Sequence, residues 1–392
     1  MWFDNDRTMD TNNHDKIALL ELLKASLYGV EPIFLDHVNW DAVLEEAREQ
    51  TVAALAAKAV PRAVASAWQE SVLQNQANFV RVLHGQSQLV NLFEQAGIPL
   101  VILKGAAAAV YYPEPFRRAM GDVDFLVPQE RFEEAAALME KNGYVLSHPA
   151  TSENPRHLGY TKNGVMFELH HHFSHDDLDI DDVLIDGMNH LVWATIGNCC
   201  FPMLPRLSNG LVLLDHLRHH LKTGLGLRQV IDWMMYVNVE LDDSFWETEF
   251  GAVAKEKGLD NLAKTVTRMC QLWLGLPGMI TWCADADEGL CGQLLDSLFS
   301  SGNFGRKRGE QGHVEAVGAR IRNIGLFRYL QITGEASWDA YKRHRVLKPF
   351  CWIYRGFQVA KRGLNTGRGV KIAGDLDRSR DRYELLKKLG VY

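Results

Sequence analysis

What this 392-residue chain lacks narrows its class. No apolar run approaches the roughly 20 residues that a membrane-spanning helix requires. No CxxC pair occurs. The six cysteines stand at 199, 200, 270, 283, 291 and 351, and adjacent Cys199 and Cys200 are poorly placed to bridge each other. Reduced thiols and a cytoplasmic setting are therefore expected. The opening MWFDNDRTMDTNNHDK is polar and partly acidic, unlike a secretory signal or an Arg-rich transit peptide. There is no HExxH, no internal repeat and no low-complexity tract.

What is present is globular: 47% hydrophobic and 23% charged residues, enough for two or three structural units with real cores. The charge is uneven. Residues 301–392 hold 20 Lys+Arg against 8 Asp+Glu, a local net of +12, while the rest carries −19. Either the basic quarter meets RNA, phosphates or anionic lipid, or the two parts pack together and neutralise.

Helical spacing of Ile17, Leu20, Leu23 and Leu27 predicts a first amphipathic helix. An Ala-rich helix follows Asp41, a candidate N-cap, and a long one runs from about Ser66 to Gln95, stopped by Gly97. The pattern then changes. Ile98–Leu103 is a short run of β-formers ahead of Lys104-Gly105, and Ala106–Val110 reads as a helix. Asp122–Val127 reads as a second strand, and residues 129–142 as a helix ended by Gly143. Tyr144–Leu146, Gly159–Thr161 and Val165–Phe173 are further strands. This order is an α/β or α+β core. Residues 174–186 read as an acidic loop, and 207–240 and 244–300 as helices. Gly302–Gly312 is a linker or exposed loop, and basic helical segments follow it. The expected units are a helical region 1–89, a core 90–175, a helical domain 176–300 and a basic extension 301–392.

The chemistry concentrates in the core. On a strand, Asp122 and Asp124 project from one face, so their carboxylates share a small volume. Such a pair repels itself unless a divalent cation neutralises it. Gly121 beside them permits a sharp turn or the approach of a ligand. Glu168 shares a face with Met166 and His170, and an acid on a core strand is costly without a partner. A cation shared by all three carboxylates answers that cost and matches a two-metal site. Lys104-Gly105, between strand and helix, suits a triphosphate, and Arg118 suits a bidentate phosphate contact.

These same residues resemble a family of uncharacterised nucleotidyltransferases within the DNA polymerase beta-like superfamily. The matching stretches are Ala96-Gly97-Ile98 with Leu103-Lys104-Gly105, Tyr112-Pro113, Arg118, Gly121–Val127, Gly143-Tyr144 and Glu168-Leu169-His170. Asn39-Trp40-Asp41, and Gly226-Leu227-Arg228 with Asp232, are similar to flanking segments of the family. The likeness spans roughly residues 15–240. It implies a small mixed sheet, Mg²⁺ (or Mn²⁺) on Asp122, Asp124 and Glu168, and transfer of a nucleoside monophosphate from an NTP, ATP among them, with release of pyrophosphate. The acceptor is open: a small molecule, a protein or RNA. One departure stands out. The wider superfamily has Gly-Ser or Gly-Gly at the phosphate turn, whereas Ala106 here offers no hydroxyl. A non-catalytic protein that binds nucleotide or phosphate is the alternative.

Histidines supply a further alternative, a zinc hydrolase. His170 and His172 share a strand face, His171 and His175 lie beside them, and His216 and His220 are i, i+4 on a helix near His219. His170 otherwise orients Glu168 as a supporting partner. Arg228 and Asp232 read as an i, i+4 ion pair, or Arg228 reaches the substrate. The Arg306-Lys307-Arg308 run reads as a solvated loop or an RNA contact. Residues 353–371, basic and aromatic, suit a nucleic acid or a membrane surface.

Overall fold

The computed structural model describes residues 11–148, 157–174, 178–302, 307, 309–366 and 372–392. Helix α1 (Thr11–Tyr28) buries Leu19, Leu22, Leu23 and Leu27. Helix α2 (Trp40–Glu49) is capped by Asn39 rather than Asp41. The Asn39 side chain accepts the Ala42 N–H at 3.2 Å, and Asp41 falls in the first turn, where its charge favours the positive helix end. The Ala-rich stretch breaks at Thr51, whose φ is 56°. The long helix α3 (Gln69–Ala96) ends on left-handed Gly97, φ 64°, with the Ile98 N–H returned to the Phe93 carbonyl at 3.0 Å. The chain leaves that cap straight into the sheet.

The sheet has seven strands in the order β3-β4-β5-β2-β1-β7-β6. They are β1 (Val101–Leu103), β2 (Asp122–Leu126), β3 (Val145–His148), β4 (His157–Lys162), β5 (Val165–His170), β6 (Val192–Ile196) and β7 (Cys199–Met203). It is mixed: β2 runs parallel to β5 and β1 to β7, and the other pairs are antiparallel. The fold is α+β, a mixed sheet flanked by helices. Strand alternation sends Val123, Phe125, Phe167 and Leu169 into the core. Phe125 meets Phe93 of α3 edge-on at 5.5 Å. Burying each such ring contributes roughly 1.5–3 kcal/mol. Gly85 of α3 lies so close that a Cβ there would stand 3.1 Å from the Phe167 ring. The opposite face is thereby left to Asp122, Asp124, Glu168 and His170.

Two strands come from beyond residue 175. The acidic segment expected to be loop contains α6 (Asp181–Met188), with α4 (Gly105–Ala109) and α5 (Phe132–Lys141) preceding it in the chain. The hairpin β6–β7 then adds to the sheet through Ile102 and Met203. Its outer strand exposes Val192 and Trp193, so no clean alternation marks it in the sequence.

Helices α7 (Arg206–Thr223), α8 (Leu227–Glu240), α9 (Asp260–Trp273) and α10 (Glu288–Ser301) form the helical part. Central α8 buries Trp233, Met234, Met235 and Tyr236. The basic C-terminal quarter forms α11 (Gly309–Ile324), α12 (Leu326–Ser337), α13 (Cys351–Thr366) and α14 (Ile372–Lys388). Arg382 of α14 donates to the Leu221 carbonyl at 3.0 Å, and Arg218 of α7 to that of Val391 at 3.3 Å. Lys307 pairs with Glu46 and donates to the Phe299 carbonyl, while Arg306 and Arg308 lie outside the described residues. Part of the basic quarter therefore packs on the acidic body. Phe327, Val346, Phe350 and Phe357 of this quarter are exposed. Among the described residues no helix is long and apolar enough to cross a membrane, and none of the six cysteines is bridged.

Candidate active site

The site begins where β1 ends. Lys104 has φ 48° and ψ −133°, and Gly105 has φ 30°. Two positive φ angles in succession turn the chain sharply into α4. Glycine adopts such angles readily, whereas lysine is strained there by about 1–3 kcal/mol. The strain places the Lys104 Nζ 2.7 Å from the Asp124 Oδ1 and 5.4 Å from the centre of the Phe173 ring.

The parallel register sets Asp124 directly beside Glu168. Asp122 joins them from the same face, and ligand oxygens of the three carboxylates lie within 4.8 Å of one another. His170 Nε2 stands 3.2 Å from the Asp124 Oδ1 and 3.5 Å from the Glu168 Oε2. Burial pushes the Asp122 carboxyl up to about 6, and the negative Asp124 adds to the rise. Burial also opposes the charge on Asp124, but Lys104 and then His170 outweigh it and hold that carboxyl well below the usual range. Burial likewise works against the Lys104 ammonium, yet Asp124, Glu168 and Asp122 together keep it above the ordinary lysine range. For His170 the bonds to Asp124 and Glu168 overcome burial and raise its pKa. Three acids thus face one ammonium in a small space.

Arg118 is not aimed at this space. Its Nε and Nη2 bind Asp232 of α8 at 2.7 Å each, and its Nη1 donates to the Ala119 carbonyl at 3.0 Å. Tyr112 donates its hydroxyl to the same Asp232 Oδ1 at 2.7 Å. The expected Arg228–Asp232 pair gives way to this clamp, since both Asp232 oxygens are taken. Arg228 is left with one long bond, Nη1 to the Ala119 carbonyl at 3.4 Å. Its Nε is buried with no hydrogen-bond partner among the described residues. Burial and the neighbouring Arg118 charge lower its pKa, while Asp232 and Asp122 oppose that. The two arginines have exchanged the parts that sequence spacing suggests. Gly121 has no left-handed angle, and a Cβ there would meet nothing within 4 Å, so the fold itself does not demand glycine.

The histidines also divide. His172 pairs with Asp181, and the His171 ring packs on Phe132, so neither extends the site; His175 lies outside the described residues. His216 and His220 of α7 meet Nε2 to Nε2 at 2.9 Å. Burial, then the charges of His219, Lys104 and Arg228, push His220 down to about 3. The residue that sequence reasoning missed is His157. It lies opposite His170 on antiparallel β4, 3.8 Å from the Glu168 Oε1. Only the cross-strand register reveals it.

No curated protein matches the chain. A family model described as "Uncharacterised nucleotidyltransferase" matches residues 36–275, a span that holds Lys104, both aspartates, Glu168, Arg228 and the Asp232 clamp. The chain belongs to that family of uncharacterised nucleotidyltransferases.

Proposed function

We propose that the protein transfers a nucleoside monophosphate from an NTP to an acceptor, with Asp122, Asp124 and Glu168 as the catalytic, metal-holding residues. The convergence of these carboxylates within 4.8 Å carries the proposal. The donor set fits a hard divalent cation, because all-oxygen ligands suit Mg²⁺ or Mn²⁺. When bound, such a cation lowers the pKa of an attacking hydroxyl and stabilises the departing pyrophosphate.

The chain's own residues supply the rest. Lys104 holds its ammonium on Asp124, beside any phosphate brought to that carboxylate. Gly105 keeps a side chain out of the turn. Arg228 offers an uncommitted guanidinium edge to phosphate oxygens, and the open space at Gly121 admits the nucleotide. Arg118 acts at one remove, fixing the segment before β2 against α8 through Asp232. His170 orients Asp124 and Glu168. An acceptor hydroxyl gives its proton to a site carboxylate or solvent as its oxygen attacks the α-phosphorus; a new P–O bond forms, and the bond to pyrophosphate breaks. Arg322, Arg328, Arg343 and Lys348, exposed in the C-terminal quarter, suit an anionic acceptor.

The test is direct. The purified protein is incubated with each α-labelled NTP and Mg²⁺, and label is followed into RNA, protein and small molecules. Full transfer by Asp122→Ala and Asp124→Ala would sink the mechanism. One observation favours a second reading, a phosphate-binding protein without turnover: the Asp124 Oδ1 is already held by Lys104 and His170. Saturable nucleotide binding with no transfer to any acceptor class would support that reading.

A further inference from the structure

A second constellation adjoins the carboxylates and has a different chemistry. His157, Glu168 and His170 each offer a ligand atom, all within 4.8 Å of one another. The two histidines are direct cross-strand neighbours on β4 and β5. Their rings are 4.8 Å apart and tilted by 49°, not stacked. The two Glu168 oxygens are shared between them, with Oε1 3.8 Å from the His157 Nε2 and Oε2 3.5 Å from the His170 Nε2.

These separations are informative. A charge-assisted hydrogen bond between imidazole and carboxylate closes to about 2.7–2.9 Å. Two ligands on opposite edges of a tetrahedral zinc ion, with bonds of about 2.0–2.2 Å, stand about 3.3–3.6 Å apart. The His170–Glu168 spacing falls within the second range and the His157–Glu168 spacing just above it; the His170 Nε2 also stands 3.2 Å from the Asp124 Oδ1, a weak contact that it would exchange for the ion. We propose that His157, Glu168 and His170 form a zinc site, three protein ligands with an open fourth position, sharing Glu168 with the carboxylate triad. Two imidazole nitrogens select zinc over magnesium, which favours all-oxygen surroundings. The charges agree, because three carboxylates face the cations Lys104 and Arg228, and a dication beside Glu168 reduces the mutual repulsion of the acids. The ligands sit on two adjacent, hydrogen-bonded strands, so little ordering is needed on binding.

The site does not depend on the nucleotidyl-transfer reading, and two variants separate the two ideas. Tag-free full-length protein is stripped with a chelator and titrated with Zn²⁺ against a chromogenic competitor, and separately with Co²⁺ to record its ligand-field bands. The expected result is one zinc equivalent and the intense bands of a low-symmetry cobalt site. His157→Ala and His157→Gln should each weaken zinc by at least the roughly 10–100-fold that loss of a mere supporting residue costs. Both should keep the wild-type circular dichroism, since His157 is only partly buried and is not among the residues of the hydrophobic core. Asp122→Asn should retain zinc, and so should His172→Ala, which changes a histidine outside the trio. The proposal is overturned if stripped protein takes up no zinc at micromolar concentration. It is equally overturned if the His157 variants bind as wild type, or if Asp122→Asn loses zinc as they do, which would put the ion among the carboxylates instead.

Discussion

Lys104 and Asp124 form a buried ion pair, Nζ to Oδ1 at 2.7 Å, although Lys104 must adopt a left-handed backbone to make it. The pair balances charge that a cation would otherwise carry. Lys104→Met should cost the metal-free protein about 3 kcal/mol, because a buried carboxylate then loses its partner. Mg²⁺ or Mn²⁺ should restore more stability to the variant than it adds to wild type. Lys104→Gly removes the same charge but relieves the backbone, so it should be less destabilising by about 1 kcal/mol. Denaturant melts with and without metal check both points. An equal metal increment in variant and wild type would mean that Lys104 and the cation do not compete for Asp124.

Asp122 gives the site a pH dependence of definite sign. Its folded-state pKa, pushed up to about 6, lies above the ordinary aspartate value, so the folded protein holds the proton more tightly than the unfolded chain. That contribution to stability is full below about pH 4 and is lost as pH rises through about 6. In metal-free protein, Asp122→Asn should flatten this part of the stability profile and add up to about 3 kcal/mol at pH 7. Mg²⁺ binding should run the other way, weakening as pH falls through 6. Melts between pH 4 and 8 with chelator present decide the matter: a profile unchanged by the substitution would show that Asp122 is not the strained carboxylate.

Much of this site is legible in the sequence, because strand alternation is a local rule. Asp122 with Asp124, and Glu168 with His170, are assigned to one face without knowing which strands pair. Pairing itself is not local. The contact of His157 with Glu168 depends on the β4–β5 register, and the β6–β7 hairpin depends on a sheet edge that leaves its outer side chains exposed. The arginines illustrate the same limit. Arg228 and Asp232 have suitable helical spacing, but Arg118, 114 positions from Asp232, wins because it adds two short parallel bonds in a buried place. Spacing proposes a partner; burial and geometry choose it.

That clamp predicts a stability effect separate from the chemistry. Asp232→Ala leaves the Arg118 guanidinium buried and unpaired, and should cost about 3–5 kcal/mol. The double variant Arg118→Met, Asp232→Leu removes both charges and should recover most of the loss, since an apolar pair of similar volume is often tolerated in place of a buried ion pair. A double-mutant cycle by urea denaturation measures this. Additive losses would indicate that the two residues act independently.

Arg228 should behave in the opposite way. Its Nε is buried without a partner, and burial and Arg118 both work against its charge, so the ligand-free protein gains little from it. Arg228→Met keeps the aliphatic volume and should leave ligand-free stability unchanged or slightly raised. If the guanidinium waits for phosphate, the same substitution should weaken NTP binding by about 10–100-fold, the worth of one or two charge-assisted hydrogen bonds. Pyrophosphate should likewise stabilise wild type against heat and have little effect on the variant. Arg228→Lys should restore only part of the binding, because an ammonium lacks the planar fork. Calorimetric titration of both variants, alongside their melts, distinguishes the outcomes. Unchanged NTP affinity in Arg228→Met would remove Arg228 from the phosphate site, and a large loss of stability would make it a structural residue like Arg118.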